Sequence, residues 1–589
     1  MRGRRDVIIG IDLGTTNSLV SVWTEGGIKM IPNDLGEYLT PSVVSFDADG
    51  TTYVGAVARE RLVTHPDSTF QEFKRDMGSK NEYRAFGRTY TATDLSALVL
   101  GQLKRDAEKF LGETIEEVII SVPAYFTDEQ RAATRNAGLI AGLHVNRLVN
   151  EPSAASLYYH ARHMEESEQY IVFDFGGGTL DVTLVDAFEN IIEIQGISGD
   201  NHLGGADFNH VVALEICKQN NLNLQDLTDV QRAQVYRHAE EVKIKLSNAN
   251  EVSEDFFISQ GTDGQLLLHV SMDIQRLVDI SSDIFSRLTI VLKRLMNQAG
   301  IVDKEEIAGV IMVGGSSKMP VVRTYLYTLF GNKLLYDENP DEIVCRGVGT
   351  AAGIQQRSDG AKDLILTDIC PFTLGVKIQG DVMSPIIRRN EILPCSRTET
   401  YVTAANMQKA LKFEIYQGEF HQASKNKLLH NIELKVPPKP AGEVYVKVTF
   451  AYDINGIFAI ELESPFIENT VREEIMNTLG LSEAEIARRK ERLEELKHEH
   501  GHYSQRMEMI LNHAERLFAE CNAEQKFYLA RYIDGLRNAL DTGDMAVARG
   551  MAGRLNQLME YIEKNMFQFD TRDANLWEQY LENDNGEDW

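Results

Sequence analysis

Residues 1 to about 360 alternate short apolar runs with amphipathic stretches of helical spacing. Four of the apolar runs are "VIIGIDLG", "EVIISVPA", "YIVFDFGGG" and "GVIMVGG", and each closes on a turn with glycine or proline. Alternating strands and helices are typical of α/β folds, in which ligands commonly lie at strand ends. We therefore predict an α/β unit with a ligand site where its strands end.

A second pattern follows residue 368. The stretch "KALKFEIYQGEF" places Leu411, Phe413 and Ile415 on one face of a strand and the residues between them on the other. In "EVYVKVTFAYDINGIFAIELE" two alternating runs flank Asn455 and Gly456, a strong hairpin pattern. This region is predicted to be antiparallel β structure.

From Ser482 onward the spacing is helical. Ser482 and Glu485 fit a capping box, in which the side chains at the start of a helix satisfy its free N–H groups. These changes of pattern predict four segments: an α/β domain at 1–362, a linker at 363–368, a β domain at 369–478 and a helical domain at 479–589.

The composition of the chain disfavours some classes of binding partner. The chain has 589 residues and a formal net charge of -28, which would repel a phosphodiester backbone or an anionic lipid surface. No apolar run approaches the roughly 18 residues needed to cross a bilayer. The five cysteines are far apart in sequence, as expected for reduced thiols. We expect a cytoplasmic protein with no nucleic-acid or membrane partner.

One sequence pattern occurs twice in the chain. "IIGIDLGTTNSLVSVW" and "YIVFDFGGGTLDVTLV" each contain an apolar strand, an aspartate, a Gly/Thr turn and a second strand, about 160 residues apart. This repeat predicts two similar lobes that face one another. Each turn could present backbone N–H groups to a phosphate, because glycine has no Cβ to keep the ligand away.

Acidic residues flank both turns. Asp12 and Asp174 end the first strand of each copy, and Asp181 follows the second turn. Carboxylates facing a polyphosphate need a divalent cation between them, and magnesium is the natural one. The alternative is a pair of ordinary hairpins with glycine at the turn. No Gly-Lys dipeptide occurs, which excludes a Walker-type phosphate loop.

Several motifs occur in the order found in one family. They are "IGIDLGTTNS", "VPAYFTDEQR", "NEPSAAS", "DFGGGTLDV", "LGGADFN", "VGGSSKMP" and "DLILTDICPFTLG". The chain resembles the seventy-kilodalton heat-shock chaperones, the DnaK-like family, and within it the HscC-type bacterial branch. The resemblance implies a multidomain fold: an actin-like two-lobed α/β ATPase domain, an antiparallel β-sandwich that binds peptide, and a C-terminal α-helical lid.

The resemblance also implies an activity. It is that of an ATP-dependent chaperone that binds ATP and Mg²⁺, with K⁺ as a further candidate ion. The implied partners are unfolded polypeptides and a J-domain co-chaperone, with a nucleotide-exchange factor as a further candidate, and a monomer is expected.

The motifs carry the family's site residues onto this chain. Catalytic roles are implied for Asp12, Lys74, Glu151, Asp174 and Thr179, and Mg²⁺ would be held through waters by Asp12, Asp174 and Asp181. The nucleotide contacts implied are Gly14, Thr15, Thr16, Asn17, Gly176, Gly177, Gly178, Glu240, Lys243, Ser247, Gly314, Gly315, Ser316, Lys318 and Asp341. Lys318 stands where the family commonly has arginine on the adenine, which predicts weaker nucleotide binding because an ammonium stacks less well.

A second set belongs to the β domain and the linker. The family's peptide channel is matched by Val376, Gln379, Tyr401, Thr403, Ala404, Leu411, Phe413 and Ile457. On the residues alone, the apolar members would be sandwich core. Gln379 falls where an apolar residue often arches over the peptide, so substrate preference is expected to differ.

The linker "DLILTD" is short and apolar, so it is expected to dock as an added strand in one state and to be released in another. The allosteric residues implied are Pro123, Arg131, Leu364, Ile365, Leu366 and Asp368. Thr367 replaces a usual leucine, which predicts weaker coupling.

Two other function classes are compatible with the first half of the chain. A sugar or acetate kinase on the same fold would leave residues 369–589 unexplained. A non-enzymatic ATP binder is disfavoured by the intact set of catalytic residues. The stretch "HEHGH" at 498–502 matches the His-Glu-x-x-His pattern of zinc proteases, but its charged flanks and Gly501 favour a solvated helix.

Overall fold

The computed structural model describes residues 7–161, 168–188, 191–260, 264–301, 304–337, 339–358, 364–453, 458–467, 469–475, 481–498, 505–521 and 523–564. The first part, called lobe one, is built on a mixed sheet of order β11-β10-β1-β2-β3, with β4 paired to β2. Its strands are β1 (Ile8–Asp12), β2 (Asn17–Thr24), β3 (Gly27–Ile31), β4 (Thr40–Pro41), β5 (Val44–Phe46), β6 (Thr51–Val54), β7 (Thr69–Phe70), β8 (Tyr83–Ala85), β9 (Arg88–Tyr90), β10 (Glu117–Val122) and β11 (His144–Asn150). Its helices are α1 (Ala56–Thr64), α2 (Ala92–Leu111), α3 (Asp128–Ile140) and α4 (Glu151–His160).

The second part, called lobe two, repeats this design. Its strands are β12 (Glu168–Phe175), β13 (Leu180–Phe188), β14 (Ile191–Asp200), β15 (Glu251–Gln260), β16 (Gly264–Asp273), β17 (Gly309–Val313) and β18 (Leu334–Leu335). Its helices are α5 (Gly205–Gln219), α6 (Asp229–Lys245), α7 (Ile274–Ile280), α8 (Ser282–Ala299), α9 (Pro320–Phe330) and α10 (Ile343–Gln355). The main sheet has the order β18-β17-β12-β13-β14-β19, where β19 (Ile365–Thr367) comes from the predicted linker.

The predicted internal repeat is visible in the strand pairing. β1 is antiparallel to β2 and parallel to β10, and β12 is antiparallel to β13 and parallel to β17. Helices α4 and α10 pack between the two sheets, with Ile119, Val172 and Val348 in one shared core. Small residues allow this close packing: a Cβ on Gly347 would lie 1.8 Å from the carbonyl oxygen of Ala154.

Residues 374–474 form two packed antiparallel sheets, as the alternation predicts. The strands are β20 (Leu374–Ile378), β21 (Val382–Ile387), β22 (Cys395–Val402), β23 (Ala410–Gln417), β24 (Lys427–Lys435), β25 (Tyr445–Tyr452), β26 (Phe458–Glu463) and β27 (Val471–Glu474). The orders are β21-β20-β23-β24 and β22-β25-β26-β27, and both inner faces share one apolar core. The predicted Asn455-Gly456 turn lies outside the described residues, but β25 and β26 on either side of it pair in antiparallel register.

The last part is helical. It consists of α11 (Glu483–Glu494), the short strand β28 (Lys497–His498), α12 (Gln505–Glu520), α13 (Ala523–Asp541) and α14 (Met545–Lys564). The Ser482 hydroxyl caps α11 by accepting a hydrogen bond from the Glu485 N–H at 3.2 Å. Helices α12–α14 have an apolar core of their own, while Leu493 in the last turn of α11 and Leu496 just after it join the core of lobe one. Residues 499–502 of the His-Glu-x-x-His match lie outside the described residues.

Shorter 3₁₀ turns connect these elements at Pro66–Ser68, Phe73–Asp76, Leu224–Asp226, Lys304–Glu306, Gly315–Lys318, Gly331–Lys333 and Ala423–Lys425. Across the ranges given above, none of the helices is both long enough and apolar enough to span a bilayer.

Candidate functional site

The two Gly/Thr turns lie against each other at the bottom of the space between the lobes. A Cβ on Gly177 would lie 1.8 Å from Thr16 Oγ1, and a Cβ on Gly178 would lie 2.5 Å from Thr15 Cγ2. Contacts this short leave no room for a side chain. The glycine run of lobe two therefore permits close approach to the matching turn of lobe one, and the two turns point into one cleft.

A single cleft of about 1520 Å³ separates the lobes and collects most of the predicted site. Its walls include Asp12, Gly14, Thr15, Thr16, Asn17, Lys74, Glu151, Asp174, Gly176, Gly177, Thr179, Glu240, Lys243, Ser247, Gly314, Gly315, Ser316, Lys318 and Asp341. Gly178 and Asp181 are not part of the wall, because Gly178 faces the other turn and Asp181 is buried behind the surface.

An ion pair occupies the floor of the cleft. Lys74 Nζ lies 2.6 Å from Glu151 Oε1, and both side chains are buried. Lys74 is held in a 3₁₀ turn, and Glu151 begins α4 directly after β11. A buried lysine paired to one carboxylate keeps its ammonium in place beside the glycine turns, where it can meet a second anion.

Three further carboxyl groups surround this pair. Burial, together with the nearby Glu151 carboxylate, raises the pKa of Asp12 to about 7 and that of Asp181 to about 7. The same causes raise the pKa of Asp174 well above its usual range. The Ser121 hydroxyl donates to Asp12 at 2.6 Å and the Tyr125 N–H to Asp181 at 3.3 Å. These hydrogen bonds are too few to offset the burial of so many acidic groups.

The oxygen atoms of this cluster fit a magnesium ion held through water. Asp181 Oδ2 is buried and has no hydrogen-bond partner, which leaves a lone pair free for a ligand. Among the residues that the structure describes, no three acidic, His or Cys side chains converge closely enough to hold an ion directly. Mg²⁺ commonly keeps several waters, so contact through its hydration shell agrees with this spacing.

The opposite end of the cleft is formed by lobe two alone. The Ser316 hydroxyl donates to the Gly176 carbonyl at 2.7 Å, and a Cβ on Gly315 would lie 2.7 Å from Asp341 Oδ1. Lys318 forms an ion pair with Asp341 at the exposed edge. This arrangement ties the 314–318 turn to the second glycine turn, and it leaves the Lys318 ammonium engaged with a carboxylate.

Helix α6 forms the facing wall. Its Glu240 carboxylate lies 3.1 Å from the Arg59 guanidinium of α1, which links the two lobes across the mouth of the cleft. Burial lowers the pKa of Lys243, whose Nζ lies 3.4 Å from the Gly205 carbonyl oxygen. Ser247 lies just after the helix and is half-buried.

Three site residues were missed by the sequence analysis. Arg75 donates to the Gly178 carbonyl at 3.1 Å and forms an ion pair with Asp207 at 2.9 Å, and Ser121 orients Asp12. Asp207 also accepts the Gly204 N–H at 2.7 Å at the start of α5. Two of these residues had an indication in the sequence: Asp207 lies in the motif "LGGADFN", and Arg75 directly follows Lys74.

The linker strand is connected to the cleft by hydrogen bonds. β19 adds to the edge of lobe two in parallel with β14, so the expected added strand is present. Asn150 Nδ2 donates to Asp368 at 2.7 Å, and Arg131 donates to Asn150 Oδ1 at 2.5 Å. Asn150 directly precedes Glu151 of the ion pair. Pro123, also predicted for this relay, is buried in the same segment that holds Arg131.

The other linker residues differ in exposure. Leu364 is buried, Leu366 packs against the core between the sheets, and Ile365 points to solvent. Thr367 Oγ1 donates to the Ile192 carbonyl at 3.2 Å, so the residue that replaces a usual leucine adds a hydrogen bond to the docked strand.

The β-sandwich is seated on lobe one through a buried aspartate. Asp128, at the start of α3, accepts hydrogen bonds from Gln417 Nε2 at 2.8 Å and from the Tyr452 hydroxyl at 3.0 Å. Lys427 adds an ion pair with Glu129 at 2.8 Å. The sequence analysis named none of these residues, because the contact joins positions about 300 apart in the chain.

The predicted peptide-channel residues divide into three groups. Val376, Leu411 and Phe413 are buried in the sandwich core, and Thr403 is buried nearby. Tyr401 is half-buried, with its ring 5.9 Å from that of Phe413 and its hydroxyl donating to Ser384 at 3.0 Å. Gln379 and Ala404 are exposed, and Ile457 lies outside the described residues.

Comparison with known families agrees with this geometry. A model of the family described as Hsp70 protein matches residues 8–86 and 79–572, which is nearly the whole chain. Hsp70 proteins are ATPases that bind ATP with Mg²⁺, and they act as chaperones with unfolded polypeptides as clients and with co-chaperones. The chain therefore belongs to the Hsp70 family.

Proposed function

We propose that the protein is an ATP-dependent chaperone that hydrolyses ATP in the interlobe cleft and uses this reaction to bind and release extended apolar segments of unfolded polypeptides. In this proposal residues 1–362 form an actin-like ATPase domain, residues 363–368 the linker, 369–478 the peptide-binding sandwich and 479–589 the helical lid. The single observation that carries it is the buried Lys74–Glu151 pair between two facing glycine turns.

The chemistry proposed is attack of water on the γ-phosphoryl group, with cleavage of the bond to the β-phosphate. The Lys74 ammonium would stabilise the charge that develops on the γ-phosphoryl oxygens, and Glu151 would hold it in position. Thr179 and the backbone N–H groups of residues 14–17 and 176–178 would bind the phosphates. Asp12, Asp174 and Asp181 would hold Mg²⁺ through waters, and the ion would neutralise phosphate charge.

Coupling to the peptide site would use the connection from Glu151 through Asn150 to Asp368 and β19. In the arrangement described, the linker strand is docked and the sandwich contacts lobe one through Asp128. We assign this arrangement to the ATP-bound, open state. Hydrolysis would then free the linker strand and close the sandwich on an extended peptide held by main-chain hydrogen bonds.

The finer parts of the proposal rest on the sequence alone. They are the HscC-type branch, the stimulation of hydrolysis by a J-domain protein, a role in the stress response, the cytoplasmic location and the monomeric state. The channel residues Val376, Leu411 and Phe413 would serve peptide binding indirectly, by forming the core on which the channel is built, because their side chains are buried.

The test measures release of inorganic phosphate from ATP, with and without an extended apolar peptide. We expect the wild type to release phosphate faster with peptide, and Lys74→Ala to lose at least about 100-fold of the activity. The matched control is Lys80→Ala, an exposed lysine in the following loop, which should behave as the wild type.

Other outcomes would contradict the proposal in distinct ways. Phosphate transfer that requires a small metabolite acceptor would indicate a kinase of the same fold. ATP binding without turnover would indicate a non-enzymatic binder. Peptide affinity that is the same with ATP, with ADP and without nucleotide would contradict the coupling.

A further inference from the structure

One buried stripe of α12 touches both lobes. Asn512, Arg516 and Glu520 are spaced four residues apart, so they lie on one face of the helix, and all three are buried although they are polar. If this face of the helix were exposed to solvent, these three polar side chains would be accessible. The stripe therefore marks an interface formed by the C-terminal helices.

The first two residues contact lobe one. Arg516 Nε lies 2.6 Å from Glu60 Oε2, and Arg61 of the same helix α1 donates to Asn512 Oδ1 at 3.3 Å. Arg516 also forms part of the wall of the interlobe cleft. The helix thus begins its contact on the rim that α1 provides.

The end of the helix contacts lobe two. Arg237 of α6 forms an ion pair with Glu520 at 2.5 Å, and the Glu520 carboxylate is buried. Gln265 of β16 donates to the carbonyl oxygens of Glu520 and Cys521 at 2.7 and 2.6 Å. One rigid helix is therefore bound to α1 and to α6, the two helices on opposite rims of the cleft.

These contacts are polar. Among the residues that the structure describes, the apolar core of α12–α14 includes none from either lobe. An interface of ion pairs and hydrogen bonds separates more readily than a shared apolar core. Yet each buried pair must be broken before its partner can leave, and an unpaired buried charge is costly.

We propose that the C-terminal helices α12–α14 act as a clamp across the mouth of the interlobe cleft, so that bound nucleotide leaves only after α12 has separated from one lobe. The direct lobe-to-lobe pair Arg59–Glu240 is half-exposed and would contribute less. The clamp rests on the proposed function in one respect, namely that the cleft binds a nucleotide.

The test measures the dissociation rate of a fluorescent, non-hydrolysable ATP analogue by stopped flow, with excess unlabelled ATP as the chase, because the arrangement described is the one assigned to the ATP-bound state. Arg237→Glu and Glu520→Arg should each raise this rate at least about fivefold, because each replaces the Arg237–Glu520 ion pair by two like charges in contact. The double variant R237E/E520R reverses the pair and should return to within about twofold of the wild type. The matched control is Arg537→Glu, whose arginine pairs with Glu515 on the surface of α12–α14 and should leave the rate unchanged.

The outcomes separate the two proposals. If both single variants release the analogue at the wild-type rate, or if the double variant does not recover, the clamp is wrong while nucleotide binding stands. If no protein binds the analogue, the proposed function itself fails. Thermal melting checks folding, and Glu520→Gln, which removes only the charge, replaces a single variant that does not melt cooperatively.

Discussion

The β-sandwich and the interlobe cleft both bury side chains, but of opposite kinds. In the sandwich the buried residues are apolar and come from alternate positions of antiparallel strands. In the cleft the buried residues include Asp12, Lys74, Glu151, Asp174 and Asp181. Apolar burial stabilises a fold by itself, whereas burial of several carboxyl groups costs free energy unless a cation or a ligand compensates.

This difference separates structural from functional residues. A residue whose burial stabilises the ligand-free protein needs no explanation beyond the fold. A cluster of residues whose burial destabilises the ligand-free protein needs one, and the ligand that restores the stability must carry compensating charge. For the cleft we propose magnesium with a polyphosphate, because the anionic groups need a cation, and Lys74 and the glycine turns suit the phosphates.

The largest effect is expected in the sandwich core. Phe413→Ala should lower the free energy of unfolding of the sandwich by about 3–5 kcal/mol, because it leaves a cavity beside Tyr401. Hydrogen–deuterium exchange of β20–β27, followed by mass spectrometry, would measure this loss. Ala404→Ser is the control, since its exposed position predicts a change within about 0.5 kcal/mol. Unchanged exchange in Phe413→Ala would contradict the core assignment.

A smaller effect is expected where the two turns meet. Gly177→Ala would place a methyl group 1.8 Å from Thr16 Oγ1 and force the turns apart, at a cost of about 1–3 kcal/mol. Affinity for ATP should therefore fall by roughly 10- to 100-fold, measured by isothermal titration calorimetry. Gly101→Ala in α2 meets only the Arg105 side chain at 3.6 Å and should bind ATP as the wild type does. Equal affinities in the two variants would show that the turns are not closely packed.

The buried carboxyl groups predict a pH dependence of similar or smaller size. The pKa of Asp12 and Asp181 is raised to about 7, so the ligand-free folded protein keeps protons that the unfolded chain loses above about pH 4. The contribution of these groups to stability is therefore complete at low pH and is lost as the pH rises from about 4 to about 7. Mg²⁺ with ATP should reverse this loss by stabilising the ionised form.

Asp181→Asn tests this sign directly. Without ligand at pH 8 the variant should be more stable than the wild type by about 1–3 kcal/mol, because it removes a buried charge with an unpaired oxygen. Thermal melting at pH 5 and pH 8 would measure the difference, which should nearly vanish at pH 5. The exposed Asp226→Asn should show no such gain. A variant less stable than the wild type at pH 8 would mean that Asp181 is stabilised by the fold itself.

The smallest effect is expected at the linker strand. Thr367→Val keeps the shape of the side chain but removes its hydrogen bond to the Ile192 carbonyl, at a cost of about 1 kcal/mol. The docked strand should be released more readily. The ratio of phosphate release with peptide to release without it should therefore differ from the wild-type ratio, by up to about fivefold. Thr400→Val, exposed on β22, is the control. An identical factor in Thr367→Val and the wild type would exclude a role for this hydrogen bond in coupling.

Much of the fold follows from local patterns. The alternation of Leu411, Phe413 and Ile415, the N-cap at Ser482 and the repeated strand-turn-strand pattern appear in the structure as expected. The reciprocal half of the predicted capping box does not form, because the Glu485 carboxylate binds Arg488 and Arg489 instead. Each pattern depends on residues that are close in the chain, so the period of two or 3.6 residues is enough to predict the element. The predicted cleft residues were likewise found through motifs of short range.

The contacts between distant segments could not be predicted in this way. Ser121 beside Asp12, Asp207 beside Arg75, and Tyr452 beside Asp128 join residues more than 100 positions apart. A serine, an aspartate or a tyrosine in these segments has no periodic pattern that would distinguish it from a surface residue. The same holds for Arg516 and Glu520, whose helix looks amphipathic and charged in sequence.

The amino-acid sequence by itself determined which segments are strands and helices, where two similar lobes occur and which motifs are suited to phosphate and magnesium. Only the tertiary structure decided which charged groups are buried together and which C-terminal helix contacts both rims of the cleft. The physical reason is that periodicity and turn chemistry act over a few residues, whereas burial and electrostatic pairing depend on distances in space that the chain order does not contain.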